Sequence, residues 1–210
     1  MEERYKETQK TWNKIAQLYE DKFMELNLYD DTYKSFCNLL LKPDADVLEI
    51  GCGPGNITRQ ILAIRPKLNI LATDVSKKMI ALAKRNNPAI ATQILDCRNL
   101  KALNAKFDGI ICGFTIPYLS KLDCSKLISD CSNLLTETGI LYLSFVSGDY
   151  KNSGFIAGST GDRTYFYYHE LERVKQELVL NQMTIVDLVE LEYKKAGGIS
   201  ETHVVINAKK

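Results

Sequence analysis

At 210 residues with 45% hydrophobic side chains, the chain has the size of one domain with a substantial core. Lys plus Arg number 27 against 26 Asp plus Glu, a formal charge of +1, so no basic field points to a nucleic-acid partner. No apolar stretch approaches the roughly 20 residues of a membrane span, and the start MEERYKETQK is too charged for a signal peptide, so the expected setting is cytoplasmic and away from membranes.

Residues 3–41 read as two helices, the first carrying Trp12, Ile15, Ala16 and Tyr19 at helical spacing. Strands and helices then alternate over residues 44–147, which predicts an α/β fold: a doubly wound, mostly parallel sheet with right-handed crossovers and helices on both faces. Within it, the apolar run Val47-Leu48-Glu49-Ile50 gives way to Gly51-Cys52-Gly53-Pro54-Gly55-Asn56. Glycine at every second position marks a backbone that must approach a ligand closely, at the turn between a strand and a helix N-terminus. Pro54 reads as a turn residue, and Asn56 as the cap of a helix whose core face holds Ile57, Ile61 and Ile64.

The next strand, Leu68 to Thr73, closes on Asp74, 19 residues after Gly55, and Ser76 caps a helix through Asn86 with Met79, Ile80 and Ala83 on one face. A third strand ends in Asp96-Cys97, a fourth in Cys112-Gly113-Phe114, and a fifth follows Gly139. An Asp at a strand end also caps helices in proteins of no related function, so each acid alone carries little. Residues 148–169 contain four glycines and then Tyr165-Phe166-Tyr167-Tyr168-His169. They read as a lid over a substrate or as a flexible loop with a short aromatic strand. Residues 170–210 complete the chain as a helix and two strands, giving a single domain over 1–210.

The six cysteines show no C-x-x-C pair, and a disulfide framework is not expected at this size. Cys124 and Cys131 fall on one helix face as core residues; Cys52, Cys97 and Cys112 lie at strand ends with no His in a recognisable ligand spacing, so no metal is expected.

A dinucleotide fingerprint would need glycine at Asn56. Glu49, two residues before Gly51, would repel a pyrophosphate and attract an ammonium group, and S-adenosylmethionine carries an amino group, a sulfonium and a ribose without phosphate. Glu49-Ile50-Gly51-Cys52-Gly53-Pro54-Gly55 resembles the first motif, E/D-x-G-x-G-x-G, of the class I S-adenosylmethionine-dependent methyltransferases, and the resemblance runs in order over about residues 12–208. It implies a seven-stranded sheet of order 3-2-1-4-5-7-6 with the last strand antiparallel. It also implies Asp74 on the ribose hydroxyls, Asp96 at the adenine amino group, and a cofactor-binding set of Glu49, Gly51, Cys52, Gly53, Gly55, Asn56, Asp74, Val75, Met79, Asp96, Cys97 and Cys112. Trp12 to Tyr19 is similar to a segment that many small-molecule methyltransferases fold over the cofactor, with Tyr19 at its methionine end; plain packing of Trp12 and Tyr19 on the domain is the alternative.

The function this implies is in-line transfer of the sulfonium methyl group to a small-molecule acceptor, without metal, S-adenosylhomocysteine being the product. Cys112-Gly113-Phe114-Thr115 lacks both the N/D-P-P-Y/F of nucleic-acid amino-methyltransferases and the metal-binding aspartate of catechol-type enzymes. His169 and Tyr118 are candidates for a base, and Tyr165, Tyr167 and His169 for substrate contacts. A nicotinamide oxidoreductase on the same fold, and a non-catalytic S-adenosylmethionine-binding protein, remain the alternatives. The sequence leaves open the acceptor, whether it reacts through O, N, S or C, and the oligomeric state.

Overall fold

The computed structural model describes residues 2–194, 198 and 200–210. Two helices, α1 (Glu2–Phe23) and α2 (Asp30–Leu39), precede the sheet. The alternating region comprises β1 (Asp46–Ile50), α3 (Asn56–Ile64), β2 (Asn69–Asp74), α4 (Lys77–Asn86), β3 (Ala91–Ile94), β4 (Phe107–Gly113), α5 (Lys121–Leu134) and β5 (Leu135–Val146). A hairpin of β6 (Gly154–Ala157) and β7 (Arg163–Phe166) follows, then α6 (Leu171–Leu180), β8 (Thr184–Lys194) and β9 (Ser200–Lys209).

The main sheet has seven strands in the order β3-β2-β1-β4-β5-β9-β8. With the separate hairpin set aside, this is the 3-2-1-4-5-7-6 arrangement expected, with β9 antiparallel to both β5 and β8. The central strands are buried on both faces and therefore read as nearly unbroken apolar runs. Alternate side chains serve opposite layers: Leu48 and Ile110 pack with α5 and α6, while Val47 and Ile111 pack with Phe36, Ile61 and Tyr142. Burial of each such side chain contributes about 1.5–3 kcal/mol.

Local signals position the helices. Ser76 accepts the Met79 N–H at 3.2 Å and starts α4, while Ser120 accepts the Asp123 N–H at 3.2 Å and starts α5. Asn56 is not the cap expected. Gly55, at φ 83°, occupies the position before α3 and Asn56 is the first helical residue, because only a residue without a Cβ takes that turn beside Asn87 and Ala83 at low cost.

In the glycine-rich segment, read as a lid or as a flexible loop with a short aromatic strand, the aromatic strand is β7. Residues 154–166 form the β6–β7 hairpin, and its backbone holds α1: Thr11 donates to the Arg163 carbonyl at 2.6 Å, and the Tyr165 N–H donates to Thr8 at 2.9 Å. Among the described residues, no helix is long and apolar enough to cross a membrane.

Candidate active site

The carboxyl ends of β1 to β4 and the inner face of α1 enclose a cavity beside the topological switch point between β1 and β4. Three groups of side chains build it. The loop after β1 supplies Gly51 and Gly53; the ends of β2 and β3 supply Asp74, Val75, Met79, Leu95, Asp96, Cys97 and Arg98; the end of β4 supplies Gly113, Phe114, Thr115, Tyr118 and Leu119. Tyr5, Gln9, Trp12 and Tyr19 close it from α1.

The glycine loop is shaped by φ values of 68° at Gly51 and 55° at Gly53. A Cβ at Gly51 would collide with Thr115 Oγ1, which donates to the Ile50 carbonyl at 2.9 Å, while Gly53 lies under the Tyr19 ring. Asp74 fastens this loop to β2: its Oδ2 accepts the Gly53 N–H at 3.0 Å and its Oδ1 accepts the Ser76 N–H at 2.7 Å. Burial raises the Asp74 pKa above the ordinary carboxylate value against the opposing effect of these N–H groups.

Glu49 lies beneath the loop rather than on the cavity wall, only 1% exposed. Thr58 donates to its Oε2, while Oε1 is buried without a hydrogen-bond partner. Burial pushes this carboxyl up to about 8, with the Thr58 hydrogen bond opposing and the Asp74 charge adding to the shift. A buried, half-satisfied carboxyl next to a loop cleared of side chains suits a ligand that brings positive charge.

Asp96 starts the turn after β3 by accepting the Arg98 N–H at 2.9 Å, and the Arg98 guanidinium reaches both carboxylate oxygens at 2.5–3.0 Å. Burial disfavours its charge, but Arg98 outweighs burial and holds the pKa below the usual value. The guanidinium also lies 4.1 Å over the Tyr5 ring.

The helix α1 is held at its ends and middle. Asn13 accepts from the Ser76 hydroxyl at 2.9 Å, and Gln9 donates to the Val75 carbonyl at 3.1 Å. Buried Glu20 accepts from Arg85 and Asn86 at 2.5 Å each, and Asn86 donates on to the Pro54 carbonyl at 2.9 Å. Trp12 stands edge-on to both Tyr19 and Tyr118, with ring centroids 5.3 Å apart in each pair.

The structure thus brings Gly51, Gly53, Asp74, Val75, Met79, Asp96, Cys97, Tyr19 and Tyr118 to one cavity. Cys52, Gly55, Asn56 and Cys112 shape the loop and strand ends behind it, and the buried Cys112 thiol is pushed up to about 12. Tyr165, Tyr167 and His169 do not reach the cavity wall. Tyr165 and Tyr167 pack on each other with centroids 4.6 Å apart. His169 is 2% exposed, with Nε2 at 2.9 Å from the Ile116 carbonyl and 3.2 Å from the Leu119 carbonyl. Facing two acceptors, that nitrogen carries the hydrogen, and burial lowers the pKa, so the ring is a neutral structural tie and not a base at the cavity.

Tyr5, Gln9, Leu95, Arg98, Phe114 and Thr115 were not singled out from sequence. The α1 residues continue the Trp12–Tyr19 stripe at helical spacing and were legible as such. Phe114 gave no signal: it sits at φ 50°, a left-handed conformation held by its N–H pointing at the Ser144 carbonyl and Oγ, each 3.1 Å away. Among the described residues, no group of three or more His, Cys, Asp or Glu is placed to hold a metal ion.

Fold and site together define an open Rossmann-like α/β domain with a side-chain-free loop and an acid at the end of the second strand. A family model described as a methyltransferase domain matches residues 47–139. The mitochondrial ubiquinone biosynthesis O-methyltransferase of Saccharomyces cerevisiae is 30% identical over 53% of this chain, and the match spans 37% of that relative. A tRNA N(3)-methylcytidine methyltransferase of Schizosaccharomyces pombe is 23% identical over 76% of this chain and 68% of its own length. Among solved structures, the 1,6-didemethyltoxoflavin-N1-methyltransferase of Burkholderia thailandensis, bound to its substrate and S-adenosylhomocysteine, superposes with a TM-score of 0.74 at 17% identity, covering 100% of this chain and 89% of that one. Residues 47–139 thus match a methyltransferase domain, and the whole chain shares the fold of solved S-adenosylmethionine-dependent methyltransferases.

Proposed function

We propose that the protein transfers a methyl group from S-adenosylmethionine to a small organic acceptor, without a metal ion. The observation that carries this reading is the Asp74–glycine-loop junction, a carboxylate and a side-chain-free turn on one cavity wall. Asp74 would hold the ribose hydroxyls, whose hydrogen bonds to a carboxylate are the strong, charge-assisted kind. Gly51 and Gly53 leave room for the methionine portion. Leu95, Cys97 and the Asp96–Arg98 pair would flank the adenine.

When bound, the cofactor supplies an electrophilic methyl group on a positively charged sulfur that leaves as a neutral thioether. The protein's own work is placement and exclusion of water. Clamped to the Ser76 turn and the hairpin, α1 closes the cavity over Trp12 and Tyr19. Neither histidine lines the cavity, so a proton lost by the acceptor leaves to solvent or through the Tyr118 hydroxyl. The enclosed, aromatic space and the near-neutral chain suit a metabolite better than a nucleic-acid track.

Formation of S-adenosylhomocysteine, followed by mass spectrometry with a panel of small acceptors and with tRNA, tests the proposal. Turnover on a small acceptor that persists in excess EDTA supports it. Loss of turnover in EDTA with recovery in magnesium contradicts metal independence, and turnover on tRNA alone contradicts the acceptor class.

A further inference from the structure

We infer that the acceptor is an uncharged, flat ring compound received against Trp12, Tyr118 and Phe114, and that carboxylate acceptors are rejected. This rests on the reading of the cavity as an S-adenosylmethionine site and narrows its second ligand. Along α1 the cavity changes character. Near its start, Glu2 and Tyr5 surround Arg98, which is bound to Asp96. About 10 Å further along the helix, Trp12 meets Tyr118 edge-on, and Tyr118 in turn meets Phe166 edge-on with centroids 5.8 Å apart.

Phe114 completes this aromatic end. Its ring packs against Tyr29 and His203, with centroids 5.2 and 5.0 Å away, and its backbone holds the left-handed conformation that an aromatic residue rarely adopts. That conformation is retained at the turn where β4 meets the cavity, and it aligns with a positioning role at a binding surface rather than with packing convenience. Orthogonal rings present both faces and edges, an arrangement that accepts a flat ring by stacking on one wall and edge contact with another.

Charge supplies the second observation. The acidic and basic side chains among the described residues on the cavity wall are the carboxyls of Glu2, Asp74 and Asp96 and the cations Lys6 and Arg98. Arg98 is engaged by Asp96 and by Glu2 at 3.2 Å, and Lys6 lines the wall near the Arg98 end, about 9 Å along the helix before Trp12. Among the described residues on the cavity wall, the aromatic end therefore has no Lys or Arg for an acceptor carboxylate, which would lose its hydration without a partner. An uncharged ring of the same size loses little on entry and gains burial.

The test uses the full chain saturated with S-adenosylhomocysteine and two probes of one ring system, 2-naphthol and 2-naphthoate, titrated by calorimetry near neutral pH. Naphthol is expected to bind at least about tenfold more tightly than naphthoate. Tyr118→Leu and, as a second variant, Phe114→Leu are expected to weaken naphthol by about fivefold or more while moving S-adenosylhomocysteine affinity by less than about threefold. Equal or tighter binding of naphthoate, binding of neither probe, or naphthol binding untouched by both variants overturns the inference. Failure of S-adenosylhomocysteine itself to bind overturns the cofactor reading beneath it, and is seen before either probe is added.

Discussion

Asp74 accepts the Gly53 amide hydrogen at 3.0 Å, so the end of β2 fixes the conformation of the loop after β1. One carboxylate therefore shapes a wall of the cavity, and under the proposed function it also offers the ribose hydroxyls an acceptor. Asp74→Ala is expected to weaken S-adenosylhomocysteine binding by about 1–3 kcal/mol. Asp74→Asn, which keeps an acceptor but no charge, should lose less. Calorimetry of both variants checks this; unchanged affinity in Asp74→Ala would place the ribose elsewhere.

Gly51→Ala should destabilise the fold as well as the site. The residue would sit at φ 68° with its Cβ against Thr115 Oγ1. The left-handed conformation alone costs about 1–2 kcal/mol. Urea unfolding should show a lower midpoint, and Thr115→Ala in the same chain should restore part of the loss, since it removes the collision and not the strain. Equal midpoints for Gly51→Ala and the parent chain would refute the close-packed loop.

Glu49 gives a pH dependence of defined sign. Its carboxyl is raised from 4.5 to about 8, with burial the largest cause, so the native state keeps a proton that the unfolded chain has lost. Stability conferred by the neutral form is therefore complete below about 4.5 and declines as pH rises to about 8, by up to about 1.4 kcal/mol per pH unit. The buried Asp74 shifts in the same direction and adds to the slope. Glu49→Gln should flatten the decline over that window in chemical denaturation; an unaltered slope would show that Glu49 is ionised in the native protein.

Deleting residues 2–23 removes α1 and its hydrogen bonds to Val75, Ser76 and the hairpin, and should reduce S-adenosylhomocysteine affinity by about tenfold. The cut belongs after Phe23. Tyr29, at the start of α2, is 6% exposed and bonded to His203 Nδ1 at 2.6 Å, so a deletion to residue 30 would open the core. Full affinity in the shortened chain would reduce α1 to a packing element.

Much of this architecture was legible in the sequence because its signals are local and repeated. Alternating apolar runs and helical stripes placed the strands and helices, the methyltransferase resemblance implied the sheet order, and Ser76 announced its helix by capping chemistry alone. The cavity residues Gly51, Gly53, Asp74 and Asp96 could be read because each sits where a strand ends. Reading failed where long-range packing decides. Tyr165, Tyr167 and His169 looked like substrate contacts by composition, yet Tyr165 and Tyr167 pack on each other and His169 faces the Ile116 and Leu119 carbonyls. Phe114 was invisible as a site residue because its left-handed backbone depends on Ser144, 30 positions away.

The most direct measurement is a calorimetric titration of the intact chain with S-adenosylhomocysteine. Binding of one equivalent with a dissociation constant in about the micromolar range, near −8 kcal/mol, is expected, together with a rise in melting temperature that tracks ligand concentration. No heat and no thermal stabilisation at about 1 mM ligand, which would mean an affinity weaker than about −4 kcal/mol, would contradict the assignment of this cavity to the cofactor.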